Sequence, residues 1–177
     1  MVDGISRQGR DSELQFRALV QGSRDASEAA AGDAVVEVDG TETSVEIKKC
    51  DSKTGSGTIN QVRAIKFIPM VVHNPALNEW YVVPATELVR FASAKARGQH
   101  TEVSFESMNL SLRNVTKWRR GPHQLDVAVR AAIRFDRGHP ELLNAMVALL
   151  RELKDIASRT RPEIDKLLAR VAEWNLP

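Results

Sequence analysis

The sequence predicts an α+β fold in which a mixed central sheet carries helices on both sides and runs on into a helical C-terminal extension. Three observations predict it. Asp39-Gly40 lies between stretches that alternate apolar and polar residues, the strongest short-range signal of a β-hairpin. Two further apolar runs, Ile68 to His73 and Glu79 to Val83, flank a turn begun by Asn74-Pro75. In the last third, Pro122, Pro140 and Pro162 stand near the starts of segments whose apolar residues recur at helical spacing.

Taken in order, residues 1–10 are polar and read as loose chain. Ser12 and Gln15 form a capping-box pattern, and Phe16, Leu19 and Val20 supply an apolar face, so a helix is expected over 12–21. Residues 22–32 are small and polar and read as a loop, with the hairpin following over 33–49. Cys50 to Thr58 is a Gly/Ser-rich connection, after which Ile59, Val62 and Ile65 suggest a helix over 58–67. Pro84 stops the second apolar strand and a helix is expected from Thr86 to about Lys95. Alternation at Val103, Phe105, Leu110 and Leu112 suggests one or two edge strands in 101–118. The Pro122 helix presents Leu125, Val129, Ala132 and Ile133 and ends near Gly138. The Pro140 helix presents Leu142, Met146, Leu149, Leu150, Leu153 and Ile156, and a second capping box at Thr160 to Glu163 opens the last helix.

The hairpin carries the chemistry. A two-residue turn at Asp39-Gly40 pairs residues whose numbers sum to 79, which sets Asp33 opposite Glu46. Directly opposed side chains have Cβ atoms about 4.5–5.5 Å apart, and like charges so placed destabilise each other unless a cation lies between them. Lys48 falls on the same face, because strand side chains repeat every two residues. The opposite face collects Ala34, Val36, Val38, Val45 and Ile47, and a slip of one residue would turn that stripe to the charged side, so the stripe itself favours this register. An isolated Glu-x-Lys is ordinary surface charge; the acid pairing and the apolar back point to a divalent-cation site.

Composition bounds the rest. The 177 residues, 42 % hydrophobic and 27 % charged, suit one globular domain with an ordinary core. No apolar run is long enough to span a bilayer, nothing near Met1 resembles a signal peptide, and the single Cys50 excludes an intrachain disulfide, so a cytoplasmic protein is expected. The net charge of +2 hides an asymmetry: Asp11 to Ile47 holds nine acids and two bases, whereas Arg63 to Arg120 holds nine bases and four acids. An acidic cation pocket beside a basic phosphate-facing surface divides charge in this way. His73, His100, His123 and His139 show no metal-ligand spacing.

With Asp33 opening one strand and Glu46-Ile47-Lys48 closing the next, the chain resembles the PD-(D/E)xK nuclease superfamily, which includes many type II restriction endonucleases and archaeal Holliday-junction resolvases. The likeness covers about residues 12–90, and Gly32 stands where that superfamily often has proline. It implies a restriction-endonuclease-like nuclease core over 1–121, with 122–177 as a helical extension packed on the core or in a homodimer interface. It implies Mg²⁺, with Mn²⁺ able to substitute, held by Asp33, Glu46 and the Ile47 carbonyl. Glu13 on the first helix and Gln61 on the helix after the motif would complete the catalytic set, although a first-turn glutamate also serves a helix dipole. Lys48 would orient the attacking water or neutralise the transition state.

The implied activity is Mg²⁺-dependent hydrolysis of duplex DNA of the type II restriction kind, with a structure-selective resolvase as the nearest rival and a non-catalytic nucleic-acid-binding protein as a different class. DNA contacts are expected from Arg63 and Lys66 and from the Lys117-Trp118-Arg119-Arg120-Gly121 stretch, with a core-packed Trp118 as the plainer reading of the last. An enzyme cutting both strands suits a two-fold homodimer.

Overall fold

Asp39 and Gly40 both adopt positive φ, 53° and 74°, as a two-residue hairpin turn twisted to match its strands requires. The pairing runs from Ala34 opposite Val45 to Val38 opposite Thr41, the register expected from the sequence. It stops short of the expected Asp33–Glu46 pair, because the Asp33 amide bonds the Val45 carbonyl and Asp33 lies before the strand that starts at Ala34. Around this hairpin the computed structural model describes residues 3–27, 32–98 and 107–142, with 144, 145 and 148.

The element order is α1 (Asp3–Leu19), β1 (Ser23–Asp25), β2 (Ala34–Val38), β3 (Thr41–Lys49), β4 (Thr58–Val62), β5 (Met70–Asn74), β6 (Glu79–Val83), α2 (Ala85–Gly98), β7 (Met108–Ser111), β8 (Arg119–Arg120) and α3 (Leu125–Gly138). Short 3₁₀ turns cover Ala64–Lys66, Leu112–Trp118 and Pro122–Gln124. Six strands form the main sheet in the order β1-β2-β3-β5-β6-β8, with β3 and β5 parallel and the other neighbours antiparallel. The fold is thus mixed α+β with a central sheet flanked by helices, as expected.

Each face of the sheet has its own core. Ala34, Val36, Val38, Val45 and Ile47 turn to one side and meet Phe16 and Val20 of α1 and Leu125, Val129 and Ile133 of α3. Met70, Val72, Tyr81 and Val83 turn to the other and meet Leu88 and Val89 of α2, the small β4–β7 sheet and Trp118. The central strand β5 is buried along its whole length, as a strand covered on both faces must be. Asp136 at the end of α3 accepts from the amides of Ala85 and Thr86, at 2.8 and 3.3 Å, and so caps the start of α2 across the fold.

Several elements differ from expectation, and each has a tertiary cause. The first helix begins at Asp3, not Ser12, so residues 3–10 are helical. Ser12 caps nothing: it is buried inside α1 and its hydroxyl meets His73 Nδ1 of β5 at 3.0 Å. The expected loop 22–32 contains β1, which lengthens the sheet beyond β2. The expected helix over 58–67 is absent. Residues 58–62 form β4 because Ile59 pairs with Leu110 of β7, far along the chain, and only Ala64–Lys66 coil. Strand β5 starts at Met70, two residues after Ile68, with the Pro69 carbonyl accepting from the Glu46 amide at 3.0 Å. Residues 140–142 are helical as expected; the side chain of Ile65, the stretch from 99 to 106 with Val103 and Phe105, and the chain from 149 onward lie outside the described residues.

Candidate active site at the open end of the hairpin

Gly32 and Asp33 lie just before β2, where the chain crosses close to β3. A Cβ on Gly32 would sit 2.5 Å from the Val45 carbonyl oxygen, so a hydrogen is all the space admits. The Asp33 amide donates to that same carbonyl at 2.9 Å. The crossing swings the Asp33 carboxylate onto the backbone of β3, where Oδ2 accepts from the Ile47 amide at 2.7 Å. Ile47 is the middle residue of Glu46-Ile47-Lys48, so the acid is anchored within the motif it was expected to join.

Glu46 is 6 % exposed and faces the α2 side of the sheet, beside Met70 of β5. A buried carboxylate needs compensation, and two ammonium groups supply it. Lys48 Nζ lies 2.8 Å from Oε1 and Lys66 Nζ is bonded to Oε2. Burial pushes the Glu46 carboxyl upward, but the two lysines outweigh it and hold the group below its ordinary range. Asp33 goes the other way. Its burial dominates, the Ile47 hydrogen bond offsets only part of it, and the Glu46 charge adds to the rise. Two neighbouring carboxylates with opposed shifts are the arrangement expected of acids that share a small site.

Glu13 belongs to the same surroundings. It sits within α1 rather than in its first turn, which removes the helix-dipole explanation. Burial and then the Asp33 charge raise its carboxyl. An open cleft of about 390 Å³ runs past Glu13 and Asp33 and is lined also by Arg10, Arg17, Asp25 and Gly32. Arg17 and Asp25 pair across it. The cleft gives the Asp33 end of the motif access to solvent.

The remaining expected residues fall as follows. Gln61 lies on β4, not on a helix, with φ 52° and its side chain exposed; its amide donates to Asn109 Oδ1 at 3.2 Å at a bulge in the β4–β7 pair. The helical context on which its role rested is therefore missing. Arg63 is exposed beside the 3₁₀ turn. Lys66, expected on a DNA surface, is inside the acid site instead. No spacing in the sequence signals this, since the 3₁₀ turn that delivers it exists only because β4 is a strand. In the 117–121 stretch Trp118 packs against Phe91, with the half-exposed Lys117 Nζ 4.2 Å above its ring and 3.6 Å from Glu87. Arg119 reaches Glu79 at 3.4 Å, and Arg120 donates to the carbonyls of Lys117 and Arg119.

Three arginines of α3 hold the far end of the hairpin. Arg130 donates to the Glu37 carbonyl, Arg134 grips Asp39 with two hydrogen bonds, and Arg137 reaches the carbonyls of Val38 and Thr41. Spaced three and four residues apart on one helical face, they tie both strands to α3 at the turn end of the hairpin.

The donor set suits a hard cation: two carboxylates and a backbone carbonyl are oxygen ligands. Among the described residues no three acidic, histidine or cysteine side chains converge closely enough to hold a metal ion by themselves. Mg²⁺ commonly takes only one or two carboxylates and completes its shell with water and substrate phosphate, so the pair of acids fits it. Among the described residues no helix is long and apolar enough to cross a membrane.

No protein-family model matches the sequence, and no curated protein matches it. Among solved structures the chain is similar to a bacterial homing endonuclease, I-Ssp6803I, at 14 % identity and a TM-score of 0.41, over 76 % of this chain and 93 % of that one. A likeness at that level says nothing of chemistry, which the site's own geometry must supply.

Proposed function

We propose that the chain is a metal-dependent DNA endonuclease of the PD-(D/E)xK kind, acting on duplex DNA. One observation carries the reading: the Asp33 carboxylate is held by the Ile47 amide at 2.7 Å, between the buried Glu46 and Lys48. A charged surface hairpin has no reason to bury a carboxylate under two lysines and anchor a second acid on the backbone of the next residue.

In this reading Asp33 and Glu46, with the Ile47 carbonyl, hold Mg²⁺, and Mn²⁺ substitutes. Bound there, the ion supplies a Lewis acid for the phosphate and a source of nucleophile at neutral pH. Glu46 is kept ionised by its lysines, with which an ion would share or contest its oxygens. Asp33 is oriented by the Ile47 amide rather than left to rotate. Lys48 sets its positive charge where the pentavalent phosphorus accumulates negative charge. Water attacks phosphorus and loses a proton to solvent, the bond to the leaving sugar oxygen breaks, and that oxygen takes a proton from solvent. Glu13 orients water in the cleft it shares with Asp33. Two-fold duplex symmetry suits two copies acting together.

The test is digestion of a long mixed-sequence DNA with Mg²⁺ or Mn²⁺, alongside four-way junctions. Discrete fragments, abolished in Asp33→Ala, are expected. Cleavage of junctions alone would mark a resolvase. A second reading has its own support: Glu46 saturated by two lysines also fits a purely structural ion cluster in a non-catalytic DNA-binding protein. DNA binding without cleavage under any of these conditions selects that reading.

A further inference from the structure

Resting on the nuclease reading above, we propose that Lys66 is a further catalytic residue, whose ammonium gives up Glu46 to the incoming divalent cation and then binds the scissile phosphodiester. Both oxygens of Glu46 are taken, Oε1 by Lys48 and Oε2 by Lys66. A divalent cation on this carboxylate must share an oxygen with an ammonium or displace one. Lys48 lies two residues along the same strand from Glu46, and its side chain is as exposed as that of Lys66, about one-fifth. Lys66 comes from a separate element, on a flexible four-carbon stem that is about one-fifth exposed. Its backbone lies in the Ala64–Lys66 turn, outside the sheet that fixes Glu46 and Lys48 relative to each other.

The delivery of Lys66 is built at some cost. Four non-glycine residues have positive φ among those described: Asp39, Gln61, Phe67 and Asn78. Asp and Asn tolerate that region in turns. Glutamine and phenylalanine do not favour it, and these two bracket the Ala64–Lys66 turn. The turn closes with the Lys66 amide donating to Arg63 and the Phe67 amide to Ala64, both at 3.1 Å. Phe67 holds φ 52° with its ring packed against the α2-side core. Such conformations persist where the surroundings over-determine them, and they gather at functional sites. The strain flanks a lysine that touches the metal-ligand candidate, while exposed Arg63 stands next to it for the neighbouring phosphates. A compact ammonium with three rotatable donors suits a tetrahedral anion.

The experiment compares the full-length protein with Lys66→Met and Lys66→Arg, using Mn²⁺ alone as one probe and a long mixed-sequence duplex as the other. Free Mn²⁺ is followed by electron paramagnetic resonance without DNA. Removing the competing charge should tighten Mn²⁺ binding by about tenfold in Lys66→Met. Single-turnover cleavage of the duplex should fall by about 10²-fold, while duplex affinity in Ca²⁺ changes little. Lys66→Arg should keep the wild-type Mn²⁺ affinity and recover part of the rate. A lysine with only a structural role would lower the melting temperature without tightening Mn²⁺. Unchanged or weaker Mn²⁺ binding, or a wild-type cleavage rate in Lys66→Met, overturns the proposal. If Lys66→Met fails to fold, Lys66→Gln carries the same readings. Wild-type protein that cleaves no DNA, paired with tighter Mn²⁺ binding in the variant, overturns the catalytic role through the nuclease reading and leaves the competition for Glu46 standing.

Discussion

The two ends of the hairpin are built from the same chemistry, carboxylates paired with cations, and differ in burial. At the turn, Asp39 and Arg134 pair at 2.8 Å with both side chains more than half exposed. At the open end, Glu46 is sealed under Lys48 and Lys66 at 8 % side-chain exposure. Exposed pairs are screened by water and salt and contribute little. A buried carboxylate stripped of its partners is costly. The turn-end pair therefore adds little to stability and the open end stores chemistry, although their charged contacts are alike in kind.

The largest expected effect is at the open end. Glu46→Ala leaves two ammonium groups facing each other in a largely buried site, and should cost about 2–4 kcal/mol in urea denaturation while abolishing cleavage. Wild-type activity in this variant would remove the site assignment altogether. Next is Gly32→Ala, whose new methyl meets the Val45 backbone 2.5 Å away. Backbone cannot swing aside as a side chain can, so a loss of about 1–3 kcal/mol is expected, by analogy with overpacking. Cleavage should fall further than stability explains, because Asp33 is displaced with its neighbour.

A smaller effect should appear with pH. His73 stacks on Trp80 at 4.1 Å between centroids and meets the Ser12 hydroxyl, and burial, with the Lys49 charge, holds its imidazole below the ordinary range, Asp51 opposing. The unfolded chain then binds the proton more readily than the folded one. The contribution is present above the unfolded value near 6.5 and is lost as the pH falls through the lower folded value. Stability between about pH 7 and 5 should decline less in His73→Phe than in the wild type; parallel curves would refute the assignment. Smallest of all, Arg134→Ala at the turn should leave the denaturation midpoint within measurement error. A large loss there would break the contrast between the two ends.

The hairpin was legible because its determinants are local. Asp39-Gly40 accepts the required φ values, and alternation from Ala34 to Ile47 permits one register with a buried face. The α3 core positions were legible for a similar reason, since Leu125, Val129, Ala132 and Ile133 recur at helical period. The spacing of Ile59 and Val62 does not separate helix from strand, because an apolar pair three residues apart also fits a short bulged strand, and Leu110 and Met108 decide between them. The place of Ser12 is not legible either, because a capping pattern does not reveal that its hydroxyl has a partner 61 residues away.

By itself the sequence determined the hairpin pairing from Ala34 to Val45, together with the identity of the acids and of Lys48, because turn geometry and side-chain alternation act over a few residues. Tertiary structure alone decided that Glu46 is buried, that Lys66 joins it from a bent segment 20 residues on, and that α3 holds the hairpin by its arginines. Burial and long-range pairing depend on which surfaces meet, and no short stretch of chain carries that information.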